Sequence, residues 1–182
     1  MMGAGWTFGP LPGVLRRELV VHGDSRGAFA ELWRATWAPG MAQANLSRSS
    51  KGVLRGLHFH RHQSDLWLVL EGRAFVALVD LRDAAPEAGH PPTATLELRA
   101  NEALFLPVMV AHGFLALERL TLAYLVSKEY DGSDELGFAW DDPLAAIDWP
   151  DPSPILSGRD AANPSLREVL TGLRDDQHPA ER

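Results

Sequence analysis

Residues 52–72 read GVLRGLHFHRHQSDLWLVLEG and concentrate polar chemistry in one short segment. Three histidines, His58, His60 and His62, occupy alternate positions, and Asp65 follows three residues later. If this segment is extended, alternate side chains project from one face at a spacing of about 6.5–7 Å. Two of the imidazoles could therefore bind a single metal ion.

The composition of the chain excludes several classes of function. Its 182 residues carry a formal charge of −7, and the 17 basic residues are scattered, which argues against nucleic-acid binding. The absence of cysteine excludes disulfides, thiol nucleophiles and thiolate zinc ligands. No apolar run approaches the length of about 18 residues that a membrane span needs, and the N-terminus does not resemble a signal peptide. These features predict a soluble cytoplasmic protein that does not bind membranes.

The distribution of apolar runs and turn residues predicts an all-β sandwich or barrel. Segments 15–22, 28–37 and 93–100 are predicted as strands, with turns rich in Gly, Asp and Asn around them. Segment 65–82 contains two β-rich runs joined at Gly72, and this pattern predicts a hairpin. Short strands at such regular spacing are typical of a barrel.

The chain is predicted to form one domain with three regions. Residues 1–12 are rich in Gly and Pro and are predicted as a loose arm, and residues 13–130 as the barrel. Residues 131–182 are predicted to wrap over the barrel and to end in a short helix. Asn163 would be the N-cap of that helix, and Pro164 would be its first residue.

The spacing within residues 52–72 resembles the first half of the metal motif of the cupin superfamily. That motif has Gly, five residues, His-x-His, three or four residues, Glu, six residues and Gly. Here the matching residues are Gly52, His58, His60, Asp65 and Gly72, with Asp in place of Glu.

The second half of the cupin motif, Pro-x-Gly-x-x-His, matches Pro107 and His112, although Met109 occupies the glycine position. The resemblance implies a double-stranded β-helix, or jelly-roll, barrel. It also implies a divalent transition metal, for which Fe, Mn, Ni, Co, Cu and Zn all suit the ligands. The implied ligands are His58, His60, Asp65 and His112.

An ordered series of segments also resembles the dTDP-4-dehydrorhamnose 3,5-epimerase family, which uses the cupin fold without a metal. The resemblance implies an isomerase that acts on a sugar nucleotide, and a homodimer that exchanges N-terminal strands. The matching segments are GDSRGAFAEL (23–32), QANLSRSSKGVLRGLHF (43–59), VALVDLR (76–82), LFLPVMVAHGFLAL (104–117), SKEY (127–130), GFAWDDPLAAIDWP (137–150) and ILSGRDAANPSL (155–166).

This second resemblance implies roles for particular residues. His58 would be the general base that removes the proton beside the keto group of the sugar, and Asp160 would be its carboxylate partner. Arg26 and Arg55 match arginines that hold the diphosphate of the substrate. The candidate substrate-binding residues are Arg26, Glu31, Gln43, Asn45, Arg55, His62, Trp67, Tyr124 and Tyr130.

The chain departs from the epimerase family at two positions. Asp65 stands where the family has a lysine that stabilises the enolate, and an anion there would raise the energy of that intermediate. Leu125 aligns with the tyrosine that serves as the general acid. Tyr124, the preceding residue, would point to the opposite face of its strand, unless the alignment slips by one residue or the strand contains a bulge. A divalent metal could replace the lysine as Lewis acid, with Asp160 then orienting His58.

Three hypotheses about function follow from this sequence. The first is epimerisation or isomerisation of a nucleotide-linked or related keto sugar, assisted by a metal. The second is a metal-dependent cupin oxygenase, lyase or cyclase that acts on another small molecule. The third is a sugar-nucleotide binding protein without catalytic activity.

Overall fold

The computed structural model describes residues 5–177, which form two antiparallel sheets and a separate hairpin. In chain order the strands are β1 (Thr7–Phe8), β2 (Leu15–Glu18), β3 (Val21–Asp24), β4 (Gly27–Ala30), β5 (Gln43–Ser49), β6 (Leu54–Phe59), β7 (Asp65–Glu71), β8 (Arg73–Asp80), β9 (Thr93–Arg99), β10 (Glu102–Leu106), β11 (Val110–Ala116), β12 (Leu120–Val126) and β13 (Leu136–Gly137). One sheet has the order β1-β2-β10-β7-β12-β5, and the other has the order β13-β6-β11-β8-β9. The hairpin consists of β3 and β4.

The core between the two sheets confirms the all-β jelly-roll prediction. Trp67 and Val69 of β7 pack there against Val76 and Leu78 of β8, so side chains of both sheets share one apolar cluster. The inward face of each strand carries every second residue, as the pleat requires. The two sheets therefore enclose the interior in which the polar residues of the barrel meet.

Two further apolar clusters cover the outer faces of the barrel. Leu66 and Leu68 of β7 point outward and pack with tryptophans that include Trp33 and Trp37. On the other sheet, Phe59 and Phe138 belong to a cluster that the C-terminal segment covers. This covering explains why several strands read as continuous apolar runs, since both of their faces are buried.

The hairpin predicted at Gly72 is wrong, because β7 and β8 lie in different sheets. Gly72 has φ +86°, and a Cβ there would lie 2.1 Å from the carbonyl oxygen of Arg119. The glycine thus lets the chain cross sharply from one sheet to the other. Two adjacent β-rich runs look alike in sequence whether they pair with each other or cross between sheets.

The N-terminal strand predictions are only partly correct. Segment 15–22 is divided between β2 and β3, and only the start of segment 28–37 is a strand, β4. Segment 93–100 is confirmed as β9. The predicted arm contributes β1, which pairs with β2, while residues 1–4 lie outside the described part of the chain.

The C-terminal segment contains two helices, α1 (Gly158–Ala161) and α2 (Leu166–Gln177). Helix α1 was not anticipated, and its N-cap Ser157 accepts a hydrogen bond from the backbone N–H of Asp160. Helix α2 starts later than predicted. Ser165 and Glu168 form a reciprocal capping box at its start, which replaces the expected cap at Asn163.

Within residues 5–177, no helix is both long and apolar enough to cross a membrane. The cytoplasmic location and the division into arm, barrel and wrap remain predictions from the sequence.

Candidate active site

A cavity of about 540 Å³ opens between the two sheets and contains most of the polar residues singled out in the sequence. Strands of both sheets and helix α1 contribute to its wall. The lining residues are Gln43, Asn45, Ser47, Arg55, His58, His60, Gln63, Asp65, Trp67, His112, Phe114, Leu122, Tyr124, Val126, Tyr130, Glu135, Ser157, Arg159 and Asp160.

Two glycines bring β6 and β11 unusually close at the base of this cavity. A Cβ on Gly56 would lie 2.5 Å from the Cα of Gly113, and Gly56 has φ +125°. The pairing of the two strands also shifts its register here, and His58 lies opposite His112. The close approach therefore fixes the two histidines on neighbouring strands of the same wall.

His58 and Asp160 form a hydrogen-bonded pair between β6 and α1. His58 Nε2 lies 2.6 Å from Asp160 Oδ1. Burial opposes ionisation of Asp160, but the hydrogen bonds from His58 and Ser157 outweigh it and lower the pKa of the carboxyl. With Nε2–H donating to an ionised carboxylate, the neutral ring carries its lone pair on Nδ1, as a general base requires.

A second polar group lies deeper in the cavity and consists of His60, Asp65 and His112. Their relative exposures are 7%, 4% and 6%, and one ligand atom of each lies within 4.8 Å of the others. His112 Nε2 and Asp65 Oδ2 are 3.6 Å apart. These two atoms are therefore too distant for a hydrogen bond but close enough to bind one metal ion.

Each member of this group is held by a further hydrogen bond. His60 Nδ1–H donates to the carbonyl oxygen of Asp134 at 2.7 Å, and His112 Nδ1–H donates to that of Val110 at 2.9 Å. Because a carbonyl can only accept, the Nε2 lone pairs of both neutral rings are left for another partner. Burial lowers the pKa of His112 to about 4, although the nearby Asp65 acts in the opposite direction.

The structure departs from the predicted set of four metal ligands. Among residues 5–177, the metal-compatible group contains His60, Asp65 and His112 but not His58, whose Nε2 is engaged by Asp160. His58 lies within β6 with its ring bonded to Asp160, whereas His60 follows the end of β6 at Phe59.

Because β6 ends at Phe59, the three histidines are not on one extended strand, and His62 does not line the main cavity; its role as a substrate-binding residue stays a prediction. His62 lies in the loop between β6 and β7, is exposed, and lines a second cavity of about 530 Å³. Its backbone N–H donates to the carboxylate of Asp134 at 3.0 Å. Gln63 lines both cavities.

Tyr124 lines the main cavity, as expected of a candidate substrate-binding residue, although the alignment placed Leu125 at the position of the general acid. On β12, Leu122 and Tyr124 face inward, whereas Leu125 packs in the outer cluster. The aligned position was therefore displaced by one residue. Burial raises the pKa of the Tyr124 hydroxyl, with further contributions from Glu135 and Asp65, so the hydroxyl stays protonated at neutral pH.

The other predicted substrate-binding residues divide into two groups. Gln43, Asn45, Arg55, Trp67 and Tyr130 line the cavity, where Trp67 packs edge-on against His112. The side-chain amide of Gln43 also accepts from the backbone N–H of Tyr130 at 2.9 Å.

Arg26 and Glu31 form the second group and do not line the cavity of a single chain. Arg26 pairs with Asp24 within the exposed β3–β4 hairpin, and Glu31 pairs with Arg34 just after it. The pKa of Asp24 is lowered by its hydrogen bonds with Arg26.

The sequence-based reasoning missed five polar residues of the cavity: Ser47, Gln63, Glu135, Ser157 and Arg159. Arg159 is bonded to Glu135 at 3.1 Å, which joins α1 to the segment before β13. The SGRD sequence around Asp160 was a usable signal for Ser157 and Arg159. No local sequence pattern identifies Glu135, because its place in the cavity depends on how the C-terminal segment packs against the barrel.

Comparison with known proteins shows relationships over nearly the whole chain. The family model described as dTDP-4-dehydrorhamnose 3,5-epimerase matches residues 9–168. A dTDP-4-dehydrorhamnose 3,5-epimerase of Mycobacterium tuberculosis is 36% identical over 174 residues, covering 87% of this chain and 86% of its own. A dTDP-4-dehydrorhamnose 3-epimerase of Streptomyces niveus is 38% identical over 148 residues, covering 75% and 72%.

A solved structure extends this likeness to three dimensions. The epimerase RmlC of Legionella pneumophila, in complex with dTDP-4-keto-L-rhamnose, has a TM-score of 0.81 and 31% identity. The match covers 93% of this chain and 96% of that protein.

Proposed function

The chain belongs to the dTDP-4-dehydrorhamnose 3,5-epimerase family, and from that membership we propose that it epimerises a dTDP-linked 4-keto-6-deoxy sugar. The observation that carries the proposal is the His58–Asp160 pair, 2.6 Å apart in the wall of a cavity of about 540 Å³. An imidazole oriented by a buried carboxylate is a suitable base for a proton beside a carbonyl group.

Epimerisation requires a proton to leave one face of the sugar ring and another to arrive on the opposite face. His58 lies on β6 and Tyr124 on β12, which belong to opposite sheets. Both side chains line the cavity, and the raised pKa of Tyr124 keeps its hydroxyl protonated. We therefore assign proton removal to His58 and proton return to Tyr124.

The polar wall of the cavity suits a sugar nucleotide. Arg55 and Arg159 bring positive charge to a site that must accept a diphosphate, for which the guanidinium is a multidentate donor. Gln43 and Asn45 supply amides from β5, and their side chains are 2.8 Å apart. These groups could bind the diphosphate and the sugar hydroxyls.

The proposal includes a divalent transition metal in place of the family's lysine. An enolate that develops beside the keto group needs a nearby positive charge, and Asp65 supplies the opposite. A cation bound at Asp65 would neutralise this buried carboxylate and act as the Lewis acid.

We also propose that the active form is a homodimer. The β3–β4 hairpin belongs to neither main sheet, and it exposes Val21 and Phe29. Exposed apolar residues on such a projection favour contact with a second chain. Placed over the cavity of a partner, the hairpin would bring Arg26 and Glu31 to the substrate.

The test is proton exchange from the solvent. Purified protein is incubated in D₂O with dTDP-4-keto-6-deoxy-D-glucose, and deuterium beside the keto group is followed by proton NMR. We expect incorporation, and a decrease of about 10²–10⁴-fold in His58→Gln, because the general base is lost. His90→Gln, outside the cavity, is the control and keeps the wild-type rate. No exchange at any metal loading would exclude epimerisation.

One observation favours a second candidate function. Two histidines and a carboxylate with open coordination positions are the ligand set of non-haem Fe(II) oxygenases. Oxygen consumption by the Fe(II)-loaded protein with a sugar nucleotide, without deuterium exchange, would support an oxygenase instead.

A further inference from the structure

We infer that His60, Asp65 and His112 form a three-ligand site for one divalent transition-metal ion, separate from the His58–Asp160 pair. The remaining coordination positions of the ion face the cavity and would bind a vicinal hydroxy-ketone. The inference depends on the proposed function for the class of substrate but not for the binding of the metal.

The distances within the group are close to those between ligands of one ion. Donors bonded to the same transition metal at about 2.1 Å are about 3.0–3.5 Å apart when they occupy adjacent positions. His112 Nε2 and Asp65 Oδ2 are 3.6 Å apart, and the group as a whole spans no more than 4.8 Å. Small side-chain movements would therefore complete the coordination.

The surrounding hydrogen bonds orient all three side chains so that one atom of each is left to bind a cation. Both histidines donate Nδ1–H to backbone carbonyls, which leaves Nε2 unprotonated. Gln63 Nε2 donates to Asp65 Oδ1 at 2.9 Å and leaves Oδ2 directed toward His112. Hydrogen bonds of this kind orient ligands in metal proteins.

Burial supplies an independent argument. Asp65 is 4% exposed, accepts one hydrogen bond from Gln63, and has His112 Nε2 at 3.6 Å from its other oxygen. A buried carboxylate normally has a positive partner or a metal, since an isolated buried charge is costly. A divalent cation would satisfy Asp65 and both Nε2 atoms at once.

The location of the group determines what the ion could bind. All three ligands line the same cavity as His58 and Tyr124, so the open positions of the ion face the substrate volume. Oxygen atoms on adjacent carbons, a ketone and a hydroxyl, can bind one ion together. A 4-keto sugar with a free 3-hydroxyl has this arrangement.

The test measures metal binding in the absence of substrate. Untagged full-length protein is analysed for bound metal by mass spectrometry, and the metal-free protein is titrated with Zn(II) and with Co(II), whose visible absorption reports the ligands. We expect one ion per chain. We expect a loss of at least about tenfold in affinity in His60→Gln, Asp65→Asn and His112→Gln.

Two matched histidine variants serve as controls. His58→Gln and His62→Gln remove imidazoles from the same segment, and both should bind the metal as the wild type does. An equal loss of affinity in His58→Gln would overturn the three-ligand site. Wild-type binding by Asp65→Asn, or no binding by folded wild type with excess metal, would overturn the inference entirely.

A further variant separates loss of metal from loss of fold. Asp65→Lys restores the lysine of the family, and its deuterium exchange should resist a chelator that abolishes exchange in the wild type. If the metal-free wild type also exchanges, the inferred binding of the reacting sugar by the ion fails, and epimerisation stands without the metal. If metal binds at the three ligands but no exchange occurs, the proposed function fails and the metal site stands.

Discussion

At the scale of single residues, the environment of Asp160 determines what His58 can do. Asp160 is almost completely buried, its carboxylate lies 2.6 Å from the His58 imidazole, and its backbone N–H donates to the Ser157 hydroxyl. Burial opposes the ionised carboxylate, but the interactions with His58 and Ser157 lower its pKa. An ionised Asp160 fixes the tautomer and the orientation of the His58 ring.

Replacement of Asp160 by Asn should therefore decrease deuterium exchange by about 10²–10⁴-fold with little change in structure. It should also alter the dependence of stability on pH. The folded-state pKa of Asp160 lies below its ordinary value of 3.8, so its stabilising contribution is present above that pH. The contribution is lost as the pH falls through the folded-state pKa.

Urea unfolding of wild type and Asp160→Asn along a series of decreasing pH values measures this effect. The difference in the free energy of unfolding should shrink toward acid pH. A constant difference at all pH values would contradict the assigned role of the carboxylate.

Tyr124 offers a second prediction at this scale, because the chain has only two tyrosines. In Tyr130→Phe, the ultraviolet signal of tyrosinate comes from Tyr124 alone. Its midpoint should lie above the ordinary value of 10.0, since burial raises the pKa of this hydroxyl. A midpoint at or below 10.0 would mean that the side chain is solvated and does not face the enclosed cavity. The signal should disappear in the Tyr124→Phe/Tyr130→Phe double variant.

At the scale of elements, the contact between β6 and β11 positions the wall of the cavity that contains His58 and His112. Gly56 and Gly113 allow the two backbones to approach more closely than side chains would permit. His58 and His112 lie opposite each other on these strands, next to the close approach. The geometry of both polar groups therefore depends on this single backbone contact.

The substitution Gly56→Ala should destabilise the protein by about 2–4 kcal/mol, because the new Cβ meets backbone and the φ of +125° is strained. Chemical denaturation measures the change. Gly172→Ala in α2 is the matched control: its Cβ has open space, and alanine should stabilise the helix by about 0.5–1 kcal/mol. Equal effects of the two substitutions would contradict the close contact.

At the scale of the whole molecule, the β3–β4 hairpin distinguishes the isolated chain from the proposed dimer. In one chain Phe29 is 64% exposed, and Arg26 lies away from the cavity. An assembly that covers the hairpin would bury this apolar surface and place Arg26 near a second cavity.

Phe29→Glu should therefore shift the protein from dimer to monomer in sedimentation or light-scattering measurements, since a buried charge disfavours the interface. Ile155→Glu, at an apolar residue that is also exposed but lies on the C-terminal segment, is the control. A wild-type protein that is monomeric at every concentration would contradict the homodimer proposal.

The sequence by itself determined the family and the fold. The ordered segments from GDSRG to SGRD identify the family and its barrel fold, because a family resemblance depends only on which residues occur and in what order. It also indicated His58 with Asp160, as well as the unusual Asp65. Predictions from residue spacing were wrong where they assumed a regular strand. Strand β6 ends before His60, and the tyrosine that lines the cavity, Tyr124, lies one residue from the aligned position.

Tertiary structure alone decided which polar groups work together. His58 and Asp160 are 102 residues apart and meet only because α1 packs beside β6. Asp65, at the start of β7, lies near His60 and His112. His58 is not part of this group, because its ring is bonded to Asp160. Which side chains contact one another depends on where each strand ends and on which sheet it joins. Long-range packing determines these two features, whereas the local sequence determines only the residue types.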